Sequence, residues 1–258
     1  GTFEAERFKA FRAVGVTRLS IGVQSFDDAA LQRIGRVHDS AQARAAIAEA
    51  REAFDTFNID LMYALPGQSL AALRSDLDAA LSYAPPHLSI YHLTIEPNTV
   101  FAKYPPVVPE DDLAYAMLDR ITERTAAVGL QRYEVSAYAQ PGHGCAHNLN
   151  YWRFGDYLGI GAGAHGKISF PDRVTRETRY KQPDAFIENA VVGTAIQEEK
   201  TIARSELPFE FMLNALRLTG GFDSALFTER TGLPLTTINR QLDEAEHRGL
   251  IARDIKRI

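Results

Sequence analysis

The sequence predicts an α/β protein with a barrel-like parallel sheet in its first half and a small helical domain, similar to a winged helix, at its end. Two observations support this prediction. Three segments with the two-residue alternation of strands are separated by helical apolar patterns at residues 40–54 and 69–81. From about residue 205, successive helical patterns lead to a short apolar ribbon. Strands that alternate with helices form parallel βαβ units.

The first strand is predicted at residues 18–25, where Leu19, Ile21 and Val23 share one face and small or polar residues share the other. In a β/α barrel the apolar face contacts the helices, the other face lines the interior, and active sites gather at the C-terminal strand ends. Gln24 is therefore a candidate binding residue. The alternative is a polar residue that is satisfied inside a barrel layer.

The second strand is predicted at residues 58–65, with Asp60 on its polar face. A buried carboxylate needs partners, so a functional and a purely structural interpretation of Asp60 remain equally open. The helix before this strand is predicted to have Ser40 as its N-cap, and the helix after it to have Ser69.

A third strand is predicted at residues 87–93, with His92 in phase with its apolar residues and therefore structural. An amphipathic helix at 110–128, a further strand at 131–138 and a helix beginning near Pro183 follow.

The C-terminal part is predicted to contain helices at 207–216, 222–231 and 235–248 and a strand at 249–252. Winged-helix domains with this order often bind DNA. The third helix is rich in acidic residues, however, and suits a phosphate backbone poorly. We therefore expect a packing or substrate-cap role for this domain.

Composition limits the classes of function. A net charge of −5 argues against nucleic acid as the main partner. A single cysteine excludes an intrachain disulfide framework and favours a reducing compartment, which we take to be the cytoplasm. No apolar run is long enough to span a bilayer.

Residues that can ligate or stack on a flat aromatic cofactor are concentrated at 145–152, which reads CAHNLNYW and holds the only cysteine and the only tryptophan. The glycine-rich segment 159–166 follows, and glycine lets a backbone approach such a cofactor closely. This segment lacks the strand and spacing of a dinucleotide-binding fingerprint, so we reject that interpretation.

Four segments together resemble a known family. They are LSIGVQSF at 19–26, IGR at 34–36, DLMYALPG at 60–67 and HNLNYW at 147–152. They are similar to the radical S-adenosylmethionine (SAM) proteins of the oxygen-independent coproporphyrinogen III oxidase group, which are related to HemN. Within that group, the His-Asn-x-x-Tyr-Trp pattern is typical of the heme chaperone branch, HemW. The resemblance covers essentially the whole chain.

The resemblance implies a partial (β/α)6 barrel, open on one side, with a HemN-type C-terminal domain. The corresponding division is 1–170 for the barrel and heme-motif segment, 171–204 for a connection and 205–258 for the C-terminal domain.

The resemblance also implies that Gln24, Arg36 and Asp60 contact SAM. Arg36 can donate to the methionyl carboxylate, and Asp60 can accept from the ribose hydroxyls or lie at the sulfonium side.

For heme, the resemblance makes His147 a candidate iron ligand, with Tyr151 or Trp152 against the porphyrin edge. Alternatively, His147 orders its loop and Trp152 lies in the core. Cys145 is a second candidate ligand, and His165 is a further candidate for facing the cofactor cavity.

The family holds a [4Fe–4S] cluster through a C-x3-C-x2-C loop after its first strand, and SAM binds the cluster. This sequence has one cysteine and begins without Met in a motif-rich region. We therefore expect a fragment without cluster ligands, whose parent carries the first strands and the cluster loop. Such a fragment is expected not to perform radical chemistry alone.

The predicted function is that of a heme chaperone, whose parent passes heme to a membrane respiratory hemoprotein and forms a cluster-dependent homodimer. One alternative is an oxygen-independent coproporphyrinogen III dehydrogenase, which uses a 5′-deoxyadenosyl radical to abstract hydrogen from propionate side chains. Another is a winged-helix regulator with a barrel sensor, which the acidic charge disfavours.

Overall fold

The computed structural model describes residues 5–258, which form two compact units that divide between Gly144 and Cys145. The N-terminal unit contains six helices and five strands among its described residues. In chain order these are α1 (Ala5–Ala13), β1 (Arg18–Gln24), α2 (Asp28–Arg33), α3 (Ser40–Ala53), β2 (Thr56–Tyr63), α4 (Leu70–Leu81), β3 (His87–His92), α5 (Val100–Lys103), α6 (Asp111–Ala126), β4 (Gln131–Glu134) and β5 (Ala137–Ala139).

The strands of this unit form one sheet in the order β1-β2-β3-β5-β4. β1, β2 and β3 are parallel, which confirms the predicted βαβ arrangement. The strand predicted at 131–138 is instead the antiparallel hairpin of β4 and β5, because the chain turns at Val135 and Ser136. The carbonyl of Val135 accepts a hydrogen bond from the Arg132 guanidinium, 2.6 Å away, which holds this turn.

The apolar faces of the parallel strands pack against α3, α4 and α6, as the alternation in the sequence predicts. The opposite face carries small and polar side chains. The core includes Ile21, Val23, Ile59, Leu61, Leu88 and Ile90 from the strands, and Ala46, Ile47, Leu73, Leu77, Met117 and Ile121 from the helices.

The N-cap of α3 is Asp39, and the prediction of Ser40 is wrong by one residue. The Asp39 carboxylate accepts the Gln42 backbone N–H at 2.8 Å, and the Gln42 side chain accepts the Asp39 N–H at 3.1 Å. This reciprocal capping box satisfies two donors at the helix start. The prediction for α4 is confirmed, since the Ser69 hydroxyl accepts the Ala72 N–H.

The C-terminal unit combines helices with an antiparallel sheet in the order β6-β7-β8. Sequence analysis missed this sheet, because its strands are rich in charged residues and β8 is exposed throughout. The elements are α7 (Ala146–Trp152), β6 (His165–Ser169), β7 (Val174–Arg179), α8 (Pro183–Val191), β8 (Ile196–Thr201), α9 (Leu207–Ala215), α10 (Ser224–Thr231), a 3-10 helix (Leu235–Ile238) and α11 (Asn239–His247).

Three of the predicted C-terminal helices are confirmed, although the last is divided into the 3-10 helix and α11. The strand predicted at 249–252 does not form. The backbone N–H groups of Gly249 and Leu250 instead bond to the carbonyls of Glu246 and Ala245 and so terminate α11. An apolar core holds these helices together around Phe211.

Residues 145–170 lie in the C-terminal unit when the chain is divided by compactness. The division into domains at 170/171 and 204/205 concerns the family's functional domains and stays a prediction. Among residues 5–258, no helix combines the length and the apolar character needed to cross a membrane.

Candidate functional site

Gln24 ends β1 in a left-handed backbone conformation, with φ of +69°. The regular pairing of β1 with β2 shifts between Gly22 and Gln24. The Gln24 amide nitrogen lies 2.8 Å from the point that a Cβ on Gly22 would occupy. The missing side chain at Gly22 therefore makes room for the Gln24 amide, which is buried near the C-terminal end of the strand.

Asp60 lies on the neighbouring strand, where it pairs with Gly22. One carboxylate oxygen accepts the Ser20 hydroxyl at 3.0 Å, and the other accepts the Asn58 amide at 2.7 Å. Burial raises the pKa of Asp60, and the hydrogen bonds from Asn58 and Ser20 oppose this. The carboxylate is only half-buried, so it retains acceptor positions for a ligand.

A second layer of buried polar groups holds Asn58, and sequence analysis missed it. The Asn58 carbonyl oxygen lies 2.7 Å from His87 Nδ1 and 3.2 Å from the Ser89 hydroxyl. His87 Nε2 lies 2.8 Å from the Tyr133 hydroxyl. Burial, with positive charge at Arg18 adding to it, lowers the pKa of His87 to about 3. His87 is therefore neutral, with Nδ1 donating to Asn58 and Nε2 accepting from Tyr133.

Arg36 follows α2, and its backbone N–H donates to the Leu31 carbonyl at 2.9 Å. Its side chain is exposed and makes no hydrogen bond or ion pair within residues 5–258. The structure thus places Gln24 and Asp60 on paired strands, whereas Arg36 lies on a separate segment and bonds to neither.

Asp76 of α4 joins the two loops that follow β1 and β2. Its carboxylate accepts the Ser25 hydroxyl at 2.8 Å and the Phe26 N–H at 2.7 Å. Gln68 approaches the same carboxylate at 3.5 Å and accepts the Leu65 N–H at 3.2 Å. Burial raises the pKa of Asp76, while the bonds from Phe26 and Ser25 oppose it. Asp76 therefore fixes the turn directly after Gln24.

His147 lies on α7 in the C-terminal unit, where its imidazole is exposed. Its ring meets the Tyr151 ring edge-on, with centroids 4.7 Å apart. Tyr151 in turn contacts Tyr157 at 4.5 Å, also edge-on. Burial raises the pKa of Tyr151, and nearby Tyr157 adds to this. An accessible imidazole is thus backed by an aromatic pair.

Trp152 ends α7 beneath the guanidinium of Arg217, whose carbon lies 4.2 Å from the ring centroid. The buried indole N–H has no hydrogen-bond partner among residues 5–258. This cation–π contact covers one face of the indole. The sequence could not predict this contact, because Trp152 and Arg217 are distant in the chain and no periodicity relates them.

The other two candidates lie on either side of this cluster in sequence. Cys145 is buried and directly precedes α7. His165 is exposed at the start of β6, with its Nδ1 3.4 Å from the Thr178 hydroxyl. Neither a ring contact nor a hydrogen bond joins His165 to α7 within residues 5–258.

The donors that an iron–sulfur cluster requires are absent from the described part of the chain. No group of three or more His, Cys, Asp or Glu residues there is arranged to hold a metal ion. The only cysteine is the buried Cys145. Residues 5–258 therefore do not fit a [4Fe–4S] cluster, which needs several thiolates.

Comparisons with known families agree with these observations. The model of the Radical SAM superfamily matches residues 1–80, and that of the HemN C-terminal domain matches residues 202–258. Among solved structures, coproporphyrinogen III oxidase (HemN) from Escherichia coli has a TM-score of 0.78 at 20% identity and covers 98% of this chain and 62% of its own. The predicted fold class, a radical-SAM-type partial barrel with a HemN-type C-terminal domain, is confirmed.

Curated relatives show the family. Heme chaperone HemW from Escherichia coli (strain K12) is 46% identical over 97% of this chain and 66% of its own length. HemW proteins from Bacillus subtilis (strain 168) and Buchnera aphidicola subsp. Schizaphis graminum (strain Sg) are each 35% identical, over 90% and 98% of this chain and 62% and 67% of their own lengths. The chain spans about two thirds of the length of these relatives. It belongs to the HemW family of radical SAM proteins.

Proposed function

We propose that the protein is a heme chaperone that binds heme at α7 and passes it to a membrane respiratory hemoprotein. The observation that carries this proposal is the exposed imidazole of His147, backed by Tyr151, in a chain 46% identical to a heme chaperone. We further propose that transfer takes place in the cytoplasm or at the membrane surface, and that the whole protein forms a homodimer.

The residues of α7 suit a heme. Histidine is a common ligand of heme iron, and His147 is accessible to it. Tyr151 stands edge-on to that ring and can lie against the porphyrin edge. Because Arg217 covers one face of Trp152, we propose that the Trp152 side chain supports α7. His165 is a further residue that could face the same ligand.

In the N-terminal unit, we propose that Gln24, Arg36 and Asp60 contact SAM in the whole protein. The free Arg36 guanidinium can donate to a carboxylate, and the half-buried Asp60 carboxylate can accept hydroxyl groups. The Gln24 amide occupies the space over Gly22, near the C-terminal ends of β1 and β2. SAM bound to an iron–sulfur cluster supplies radical chemistry in this superfamily, and we assign no such step to these residues.

A hemin titration followed by Soret absorbance tests the chaperone proposal. We expect stoichiometric binding by the chain and a loss of at least about tenfold in affinity, about 1.4 kcal/mol, for His147→Ala, because the variant lacks the iron ligand. His247→Ala is the matched control, since His247 is also an exposed helical histidine.

Equal binding by the chain and by His147→Ala would contradict the assignment of His147. Binding lost equally in both histidine variants would indicate nonspecific imidazole ligation. If no form binds hemin, the same titration with a full-length family member decides whether further residues complete the pocket.

A further inference from the structure

Lys167 of β6 is a buried cation that is not among the residues proposed to bind heme. Only 2% of its side chain is exposed. Its ammonium nitrogen lies 3.0 Å from the Phe154 carbonyl oxygen, 2.9 Å from an Asp156 carboxylate oxygen and 3.0 Å from the Ser169 hydroxyl. A buried charge is costly unless its hydrogen bonds are complete, and here all three donors have partners.

Asp156 is held from several sides at once. Besides Lys167, it accepts the Ser169 backbone N–H at 3.0 Å and the Ser169 hydroxyl at 2.7 Å. Burial alone raises the pKa of Asp156, but the bonds from Lys167 and Ser169 outweigh it and lower the pKa. Burial lowers the pKa of Lys167, and Asp156 opposes this. Lys167 and Asp156 thus form a fixed ion pair on the sheet.

The backbone around Asp156 is in turn bonded to α7. The Asp156 carbonyl accepts the Asn150 side-chain amide at 2.9 Å, and the Asn150 carbonyl accepts the Gly155 N–H at 2.7 Å. A Cβ at Gly155 would collide with the Asn150 side chain. Phe154, between them, adopts a left-handed φ of +54°. A tight turn therefore joins the end of α7 directly to the ion pair.

α7 is too short to keep its orientation without contacts to the rest of its unit. It has seven residues, none of them fully buried. Isolated helices of this length are unstable in water, so tertiary contacts must hold them. Beyond its own turn, α7 contacts α9, Tyr151 meets the Tyr157 ring, and the Arg217 guanidinium covers Trp152.

We propose that Lys167 and Asp156 are positioning residues that set the orientation of α7 and thereby of the His147 imidazole. The inference rests on the proposed function in so far as His147 binds heme. The ion pair acts through Asn150 and the turn at Phe154 and does not itself contact the ligand.

The test uses Trp152, which is the only tryptophan of the chain and lies on α7. Its quenching by acrylamide reports the placement of α7 with no ligand present. The variants are Lys167→Met and Asp156→Asn, and the control is Lys200→Met, which removes a lysine from a surface ion pair of the same sheet. The Asp156 side chain is 40% exposed, so water can reach it when Lys167 is replaced.

We expect both variants to raise the Trp152 quenching constant by about twofold, to weaken hemin binding by about tenfold and to shift the Soret maximum, while Lys200→Met changes none of these. Measurements at a temperature where circular dichroism shows every variant folded separate positioning from stability. Should Lys167→Met fail to fold, Asp156→Asn carries the test.

Unchanged quenching and an unchanged Soret band in the folded variants would overturn the positioning role. If the parent chain does not bind hemin, the proposed function fails, and the quenching measurement still decides whether the ion pair orients α7.

Discussion

His87 illustrates how far a single buried residue depends on its partners. Both ring nitrogens are hydrogen-bonded, to the Asn58 carbonyl oxygen and the Tyr133 hydroxyl. Through Asn58, this histidine also supports the carboxylate of Asp60. Protonating the ring would place an N–H on Nε2, which now accepts from the Tyr133 hydroxyl, and would bury a positive charge.

The pKa of His87, lowered from 6.5 to about 3, predicts how stability depends on pH. Between these values the unfolded chain binds a proton that the folded chain does not. The contribution of neutral His87 to the free energy of unfolding is fully present above about pH 6.5. It falls as the pH decreases toward 3, by up to about 1.4 kcal/mol per pH unit. Denaturant unfolding of the chain and of His87→Gln across this range measures the difference in slope.

The exposed His247 gives the matched control for this prediction, and His247→Gln should leave the slope unchanged. Burial raises the pKa of Asp60 and Asp76, which favours stability at low pH, so only the difference between variants isolates His87. The same slope in the chain and in His87→Gln would mean that His87 does not remain neutral.

At the same scale, alternation in the sequence located Asp60 on the polar face of its strand. The same phase also contains Ser20 and Asn58, and on the third strand His87 and Ser89, so this signal was available for the missed residues. What alternation does not show is which polar side chains meet, because those distances depend on the register between strands.

Among the elements, α3 shows what a single position at a helix start contributes. We expect Asp39→Ala to lower the free energy of unfolding by about 1 kcal/mol, because it removes the side-chain acceptor of the capping box. Ser40→Ala is the control, since Ser40 does not cap α3 and both its backbone N–H and its hydroxyl bond to the exposed Asp28 carboxylate. Urea unfolding of both variants measures the difference, and an equal loss for Ser40→Ala would contradict the assigned cap.

Elements that the sequence concealed have a common property. β7 and β8 lack an apolar alternation, since charged residues occupy much of both strands, and α7 is too short for helical periodicity to show. Hydrophobic patterns reveal an element only where one of its faces is buried over several residues. The parallel strands β1, β2 and β3 meet this condition and were predicted within two residues of their observed ends.

Over the whole molecule, the distribution of charge predicts that the protein does not bind nucleic acid. The net charge is −5, and in the C-terminal unit Arg253 is bound by Asp243 and Glu246 of α11. We expect no retardation of duplex DNA in a gel at about 50 mM salt, because the helix offers no row of free cations to the phosphates. A shift that weakens steeply as salt increases would contradict this expectation.

The general architecture was predictable because two independent signals agreed. The alternation of strands and helices predicted a parallel α/β half, and the motifs at 19–26 and 60–67 resembled one family. The exact extent of compact units was not predictable in this way. Residues 145–170 pack with the rest of the C-terminal unit through contacts such as that of Phe154 with Phe211, which no local pattern encodes.

The position of Trp152 on α7 also gives the protein a built-in optical probe. Heme absorbs at the wavelengths at which indole emits, and the only indole of the chain belongs to α7, the helix that carries His147. Energy transfer from Trp152 to a bound heme would quench the tryptophan fluorescence. The fluorescence would recover as the heme leaves. The rate at which an acceptor protein removes heme can therefore be followed in real time without attaching a dye.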